Sequence, residues 1–143
     1  MKAKQLSGNG LKTYVVVFDT GEEFMAGIER FALEHGLDGG DFTAIGAFRR
    51  ATLGFFDIET KEYRKIPIEE QVEVLSLIGN IAIHKGKPKI HAHAVVGKAD
   101  GTTRGGHVLE AVVRPTLEVV VTESPALLRR EVDEETGLPL IRL

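Results

Sequence analysis

Leu11-Lys12-Thr13-Tyr14-Val15-Val16-Val17-Phe18-Asp19, followed at once by Thr20-Gly21-Glu22-Glu23, is the stretch on which the fold turns. Its run of β-branched and aromatic side chains predicts a largely buried strand, because such side chains fit a pleated, packed surface. Thr20 and Glu23 then match a capping box, with Thr20 as the N-cap. Phe24, Ile28, Phe31 and Ala32 recur at helical spacing, Leu33 falls on or beside that stripe, and Gly36 supplies a C-terminal stop. His35 lies in the last turn of this helix, near residues 20 to 35, where a cation suits the helix dipole; it is read as structural.

Beyond the helix the chain reads as strands. Phe42 to Phe48 and Ala51 to Ile58 are apolar segments flanking Arg49-Arg50, and Glu59-Thr60-Lys61 turns into Glu62-Tyr63-Arg64-Lys65-Ile66, ended by Pro67. Val72 to Ile83 is a long apolar run in which Gly79-Asn80 suggests a bulge or bend. Thr116 to Thr122 is a further strand, bounded by Pro115 and Pro125, and residues 125 to 130 predict a short helix before Asp133-Glu134-Glu135. One helix followed by six or more strands with hairpin-length connections predicts an α+β fold: a mostly antiparallel sheet packed against one principal helix. With no repeat, low-complexity tract or linker, residues 1–143 are expected to form a single domain.

Ile90-His91-Ala92-His93, with Gly105-Gly106-His107 downstream, places three of the five histidines close together in the chain. Residues two apart on a strand share a face, so His91 and His93 point together while Ile90, Ala92, Ala94 and Val96 take the other side. Asp100-Gly101 signals a turn between the two segments. A short odd-numbered loop there sets His107 opposite His93, and three converging imidazoles with room for water are the ligand set of an open transition-metal site. The same alternation also describes a polar strand face beside an apolar one. Glu73 interrupts Val72-Glu73-Val74-Leu75, either as a partner to a ligating histidine or a general base, or as a residue of the wet face.

Composition narrows the function classes. Hydrophobic content of 43% and charged content of 27% are ordinary for a soluble globular protein, and the absence of cysteine removes disulfides and thiolate ligands. The basic start Met1-Lys2-Ala3-Lys4 leads into Gln5-Leu6-Ser7-Gly8-Asn9-Gly10, which has no apolar signal-peptide core, and no apolar run approaches bilayer length; a cytoplasmic location without membrane contact is expected. Eighteen basic against 21 acidic residues give −3, whereas duplex-binding domains usually carry a basic excess. Lys85, Lys87 and Lys89, in the turn before the histidine strand, are the candidate phosphate contacts, or else a solvated hairpin tip. There is no phosphate-cradling glycine motif and no nucleophile elbow, and no catalytic residue is assigned.

The order of these segments resembles the PPC domain, the plant-and-prokaryote-conserved domain, from about Leu11 to Val121. The resemblance is carried by the opening strand and helix, Ala44-Ile45-Gly46-Ala47-Phe48, Val72-Glu73-Val74-Leu75-Ser76-Leu77-Ile78-Gly79, and the His-x-His and Gly-Gly-His segments. It implies a compact sheet with one principal helix, assembled as a homotrimer, and a metal site at His91, His93 and His107, most readily zinc. It also implies a DNA-binding label. Two features depart from the plant members: Glu70-Gln71 stand where those carry Gly-Arg, and no Arg-Gly-Arg-Pro hook for the minor groove is present.

Three functions follow as expectations. The first is a homotrimeric binding and regulatory protein with a three-histidine transition-metal site, weak DNA association and room for a small ligand at the metal. The second is a metal-dependent enzyme that activates water or a carbonyl at His91, His93 and His107, with Glu73 moving the proton. The third is a structural trimer whose histidines cluster without metal.

Overall fold

The computed structural model of the protein describes residues 1–6 and 10–143; Ser7, Gly8 and Asn9, which belong to the amino-terminal reading above, lie outside the described residues. Among the described residues the elements run β1 (Lys2–Gln5), β2 (Thr13–Asp19), α1 (Phe24–Glu34), β3 (Gly39–Asp57), β4 (Glu62–Ile68), β5 (Val72–His84), β6 (Lys87–Gly97), β7 (Thr103–Glu123), β8 (Arg129–Val132) and β9 (Pro139–Arg142). The fold is α+β, with one helix and a mostly antiparallel sheet. The exception is a parallel bridge from β5 to β8, Ile83 to Arg129.

Pairing closes on itself. β3 lies between β7 and β5, β5 pairs with β6, and β6 returns to β7. β2 extends the sheet along the second half of β7, β1 lies outside β2, and β4 lies along the second half of β3. α1 packs on β6 and β7 and closes one face. Phe24, Ile28 and Phe31 are fully buried there with Phe18 and Phe42, and Phe24 meets both of those rings edge-on. Each such side chain stabilises the fold by about 1.5–3 kcal/mol through burial alone. No helix among the described residues is long and apolar enough to cross a membrane.

The capping box is displaced. Thr20 is not the N-cap; its hydroxyl donates to the Pro115 carbonyl at 2.9 Å. Glu23 caps α1 instead, its carboxylate accepting from the Met25 and Ala26 amides at 3.1 and 2.7 Å and from Ala111 of β7 at 3.0 Å. A residue that serves two elements outweighs one that serves a single helix end. Leu33 is 62% exposed rather than on the buried stripe. The stripe is narrow because the sheet contacts only the side bearing Phe24, Ile28 and Phe31. His35 behaves as a structural residue, packed on Phe31 and Tyr14 with Nδ1 3.0 Å from the Phe31 carbonyl.

Several strand limits also move. Arg49-Arg50 do not separate two strands: β3 continues through them, slipping register by one residue against β7 between Phe48 and Arg50. Pro67 lies within β4, which among the described residues pairs only with β3 and so has a free side for a residue lacking an amide hydrogen. Pro115 lies within β7, where three residues, 114 to 116, oppose Ala47 alone. A proline is accommodated in such a bulge because no ladder hydrogen bond is required of it. Residues 125 to 130 form no helix; they lead into β8, the first strand of the closing hairpin. Gly79-Asn80 pair regularly with Ala92 and His91, and the irregularity in β5 falls between Val74 and Ser76. Gly79 serves close approach instead: a Cβ there would stand 2.3 Å from the Phe42 ring and 2.5 Å from the His91 carbonyl.

Candidate metal centre

Strand alternation and one turn assemble the site. Ile90, Ala92, Ala94 and Val96 of β6 are buried, which sends His91 and His93 to the opposite face. Asp100 shapes the β6–β7 turn, its Oδ1 accepting from the Thr102 amide at 2.9 Å and the Thr102 hydroxyl at 2.6 Å. The turn spans residues 98 to 102, and the resulting register makes His93 and His107 cross-strand partners. Non-adjacent segments thereby converge on one face.

The three imidazoles offer ligand nitrogens that all lie within 4.8 Å of one another. His91 Nε2 and His93 Nε2 are 3.1 Å apart, and the ring centroids stand at 5.0, 5.1 and 5.5 Å. Tetrahedral nitrogen ligands at about 2.0–2.1 Å from zinc are separated by roughly 3.3 Å. The spread exceeds that by at most about 1.5 Å, a movement open to the exposed His93 side chain. His107 Nδ1 is buried with no hydrogen-bond partner. A neutral three-imidazole set with an orphaned ring nitrogen fits a borderline-soft cation; no carboxylate among the described residues joins it.

Electrostatics favour the neutral, ligating form. Burial pushes the His107 imidazole down to about 4 from 6.5, with His91, His93, Lys89 and Arg130 adding to the shift. His91 is lowered by burial, then by His93 and Arg130. Tyr63 of β4 stacks on His107, ring centroids 4.8 Å apart and tilted by 31°, and burial raises its phenol.

Glu73 is exposed on β5, opposite Ala47 and Gly97, whereas His91 and His93 face Asn80 and Ile78 farther along the same strand. Lys85, Lys87 and Lys89 are exposed, Lys85 in the two-residue β5–β6 turn and Lys89 beside the histidines. Gly105 and Gly106 divide in role. At Gly105 a Cβ would meet nothing nearer than 3.5 Å, but at Gly106 it would stand 2.7 Å from the Gly54 carbonyl. Gly106 therefore keeps β7 against β3, rather than clearing an approach to the histidines.

Three neighbours of the site went unread in the sequence. Tyr63 reads in the sequence only as one residue of the strand ended by Pro67. Asn80 reads, with Gly79, as a bulge or bend. Arg130 fell in the segment read as helix. Arg130 is buried, donating to the Pro139 carbonyl at 2.9 Å and to the Asn80 side chain. No local signal marks it, because its burial comes from the closing hairpin folding over β5.

Comparison with known proteins bears on the same residues. The model of the Plants and Prokaryotes Conserved (PCC) domain, the PPC domain under another acronym, matches residues 5–125. A metal-containing protein from Archaeoglobus fulgidus is 38% identical, with a TM-score of 0.86 over 100% of both chains. A plant- and prokaryote-conserved protein from Pyrococcus horikoshii is 30% identical, with a TM-score of 0.87 over 96% of this chain and 98% of its own. A candidate DNA-binding protein from Bacteroides thetaiotaomicron superposes with a TM-score of 0.90 at 28% identity, over 98% and 96% of the two chains. The bifunctional protein GlmU of a Synechococcus strain is 29% identical over 139 residues, 95% of this chain, and the chain spans only 21% of that relative's length.

Proposed function

The chain belongs to the Plants and Prokaryotes Conserved domain family, and on that premise we propose that it is a homotrimeric binding protein in which His91, His93 and His107 hold one divalent transition-metal ion, zinc. The observation that carries this reading is the convergence of three imidazoles, one with a buried, unpartnered nitrogen, on a single face. The 38% identical Archaeoglobus relative, itself described as metal-containing, supports it. Three histidine ligands leave a coordination position for water or an anionic donor, which is the chemistry the ion supplies when bound. Around it, burial keeps His107 and His91 neutral, and the Tyr63 ring covers the His107 ring. Glu73, well along β5, takes no part.

Trimerisation is supported by apolar side chains on the face that bears the histidines. Ile78 is the cross-strand partner of His93 and Val95 lies two residues beyond it; Ile45 and Val120 continue that surface, and all four are exposed. DNA association is part of the same reading and is weak: Lys85, Lys87 and Lys89 offer a few phosphate contacts on a chain of net charge −3.

Metal content of untagged protein tests the central claim. About one zinc per chain is expected in the wild type, and none in His93→Ala or the triple histidine-to-alanine variant, with far-UV circular dichroism unchanged because the core lies on the other face. Equal metal in wild type and variants would remove the site.

A further inference from the structure

Beside the histidines lies a cavity of about 340 Å³ lined by both cationic and apolar side chains. His91, His107, Lys89 and Arg130 are among the residues that line it, and so are Leu109, Leu138 and Leu140. No Asp or Glu lines it. Its volume falls at the small end of ligand pockets.

Arg130 is the informative residue. It is 7% exposed, yet among the described residues it forms no ion pair. Its partners, the Asn80 side chain and the Pro139 carbonyl, are neutral, and Nε is buried with none. A buried charge is ordinarily paired, because desolvation without a counter-charge is costly. A planar guanidinium with a spare N–H is matched best by a carboxylate. A metal ion on neutral imidazoles would add two positive charges next to Lys89 and Arg130, and the cavity supplies nothing negative to balance them.

We propose that this cavity binds a small monocarboxylic acid with an apolar tail, its carboxylate held by Arg130 and Lys89 beside the histidine centre and its tail against Leu109, Leu138 and Leu140. The inference deepens the metal-site reading and rests on it for the third cationic contact only. The family match ends at residue 125, so the closing hairpin, which supplies Arg130, Leu138 and Leu140, lies beyond the matched segment.

Calorimetric titration of untagged protein, zinc-loaded and chelator-treated, with 4-methylpentanoate, 4-methylpentanamide and inorganic phosphate tests the proposal, with zinc content measured on the same samples. The acid is expected to bind once per chain, and the amide and phosphate about tenfold more weakly or not at all, since a charge-assisted pair and a buried tail are each lost in turn. Arg130→Gln should weaken the acid about tenfold or more. Lys89→Gln, at an exposed position that does not endanger folding, should weaken it severalfold with zinc content unchanged. If the amide or phosphate binds as well as the acid, if the acid gives no heat, or if Lys89→Gln leaves its affinity untouched in folded protein, the proposal is overturned. Zinc bound without acid sinks this inference alone; acid bound through Lys89 and Arg130 without zinc sinks only the metal reading.

Discussion

Burial, assisted by two neighbouring imidazoles and two cations, holds His107 at about 4 against 6.5 for a free histidine. The sign of the resulting pH dependence follows from proton counting. Between pH 6.5 and 4 the unfolded chain carries a proton on this residue and the folded protein does not, so acid favours unfolding across that window. Stability contributed by the neutral ring is complete above 6.5, falls as pH drops towards 4, and is lost below. Urea titrations of metal-free protein at several pH values should show this slope, and His107→Gln should flatten it. An unchanged slope in that variant would place the titration elsewhere. Zinc retention should likewise extend below the ordinary histidine range, since a depressed affinity for protons lessens their competition with the metal.

At the scale of elements, Glu23 joins α1 to β7 through one carboxylate, which accepts from Met25, Ala26 and Ala111. Glu23→Ala is expected to cost about 1–2 kcal/mol in chemical denaturation, as an N-cap loss does, and to loosen the contact between the helix and β7. Thr20→Ala should cost less, because the exposed Thr20 hydroxyl makes a single bond, to the Pro115 carbonyl in the β7 bulge. Equal losses would show that the cap is shared. The sequence pattern S/T-x-x-E identified the right four residues and the wrong role within them. Glu23 was legible as part of a helix start, but its bond to Ala111 connects positions 88 residues apart and leaves no local trace. The strands behaved similarly. Their existence followed from alternation and turn residues, whereas the continuity of β3 through Arg49-Arg50 and of β7 through Pro115 depended on bulges set by their neighbours.

For the whole molecule, exposed Ile45, Ile78, Val95 and Val120 on the histidine-bearing face carry the expectation of a trimer. Light scattering should give three times the chain mass, and Ile78→Asp, which places a charge in that surface, should yield monomer with its secondary structure intact. A wild-type monomer at micromolar concentration would count against the interface. Duplex DNA binding should be weak at low salt and fall steeply by 150–200 mM, by about an order of magnitude or more, because it rests on counterion release from a few phosphates. Sequence-specific binding that survives physiological salt would require contacts other than Lys85, Lys87 and Lys89. What the sequence by itself determined was local: periodicity made α1 and the strands, and the spacing of His91, His93 and Asp100-Gly101 set three histidines to meet, because side-chain direction on a strand follows from residue parity. Only the tertiary structure decided which of those elements touch. Tyr63 on His107, Arg130 against Asn80, and Leu138 and Leu140 in the cavity lining come from distant segments, and their contacts exist only once the sheet has closed and the last hairpin has folded against it.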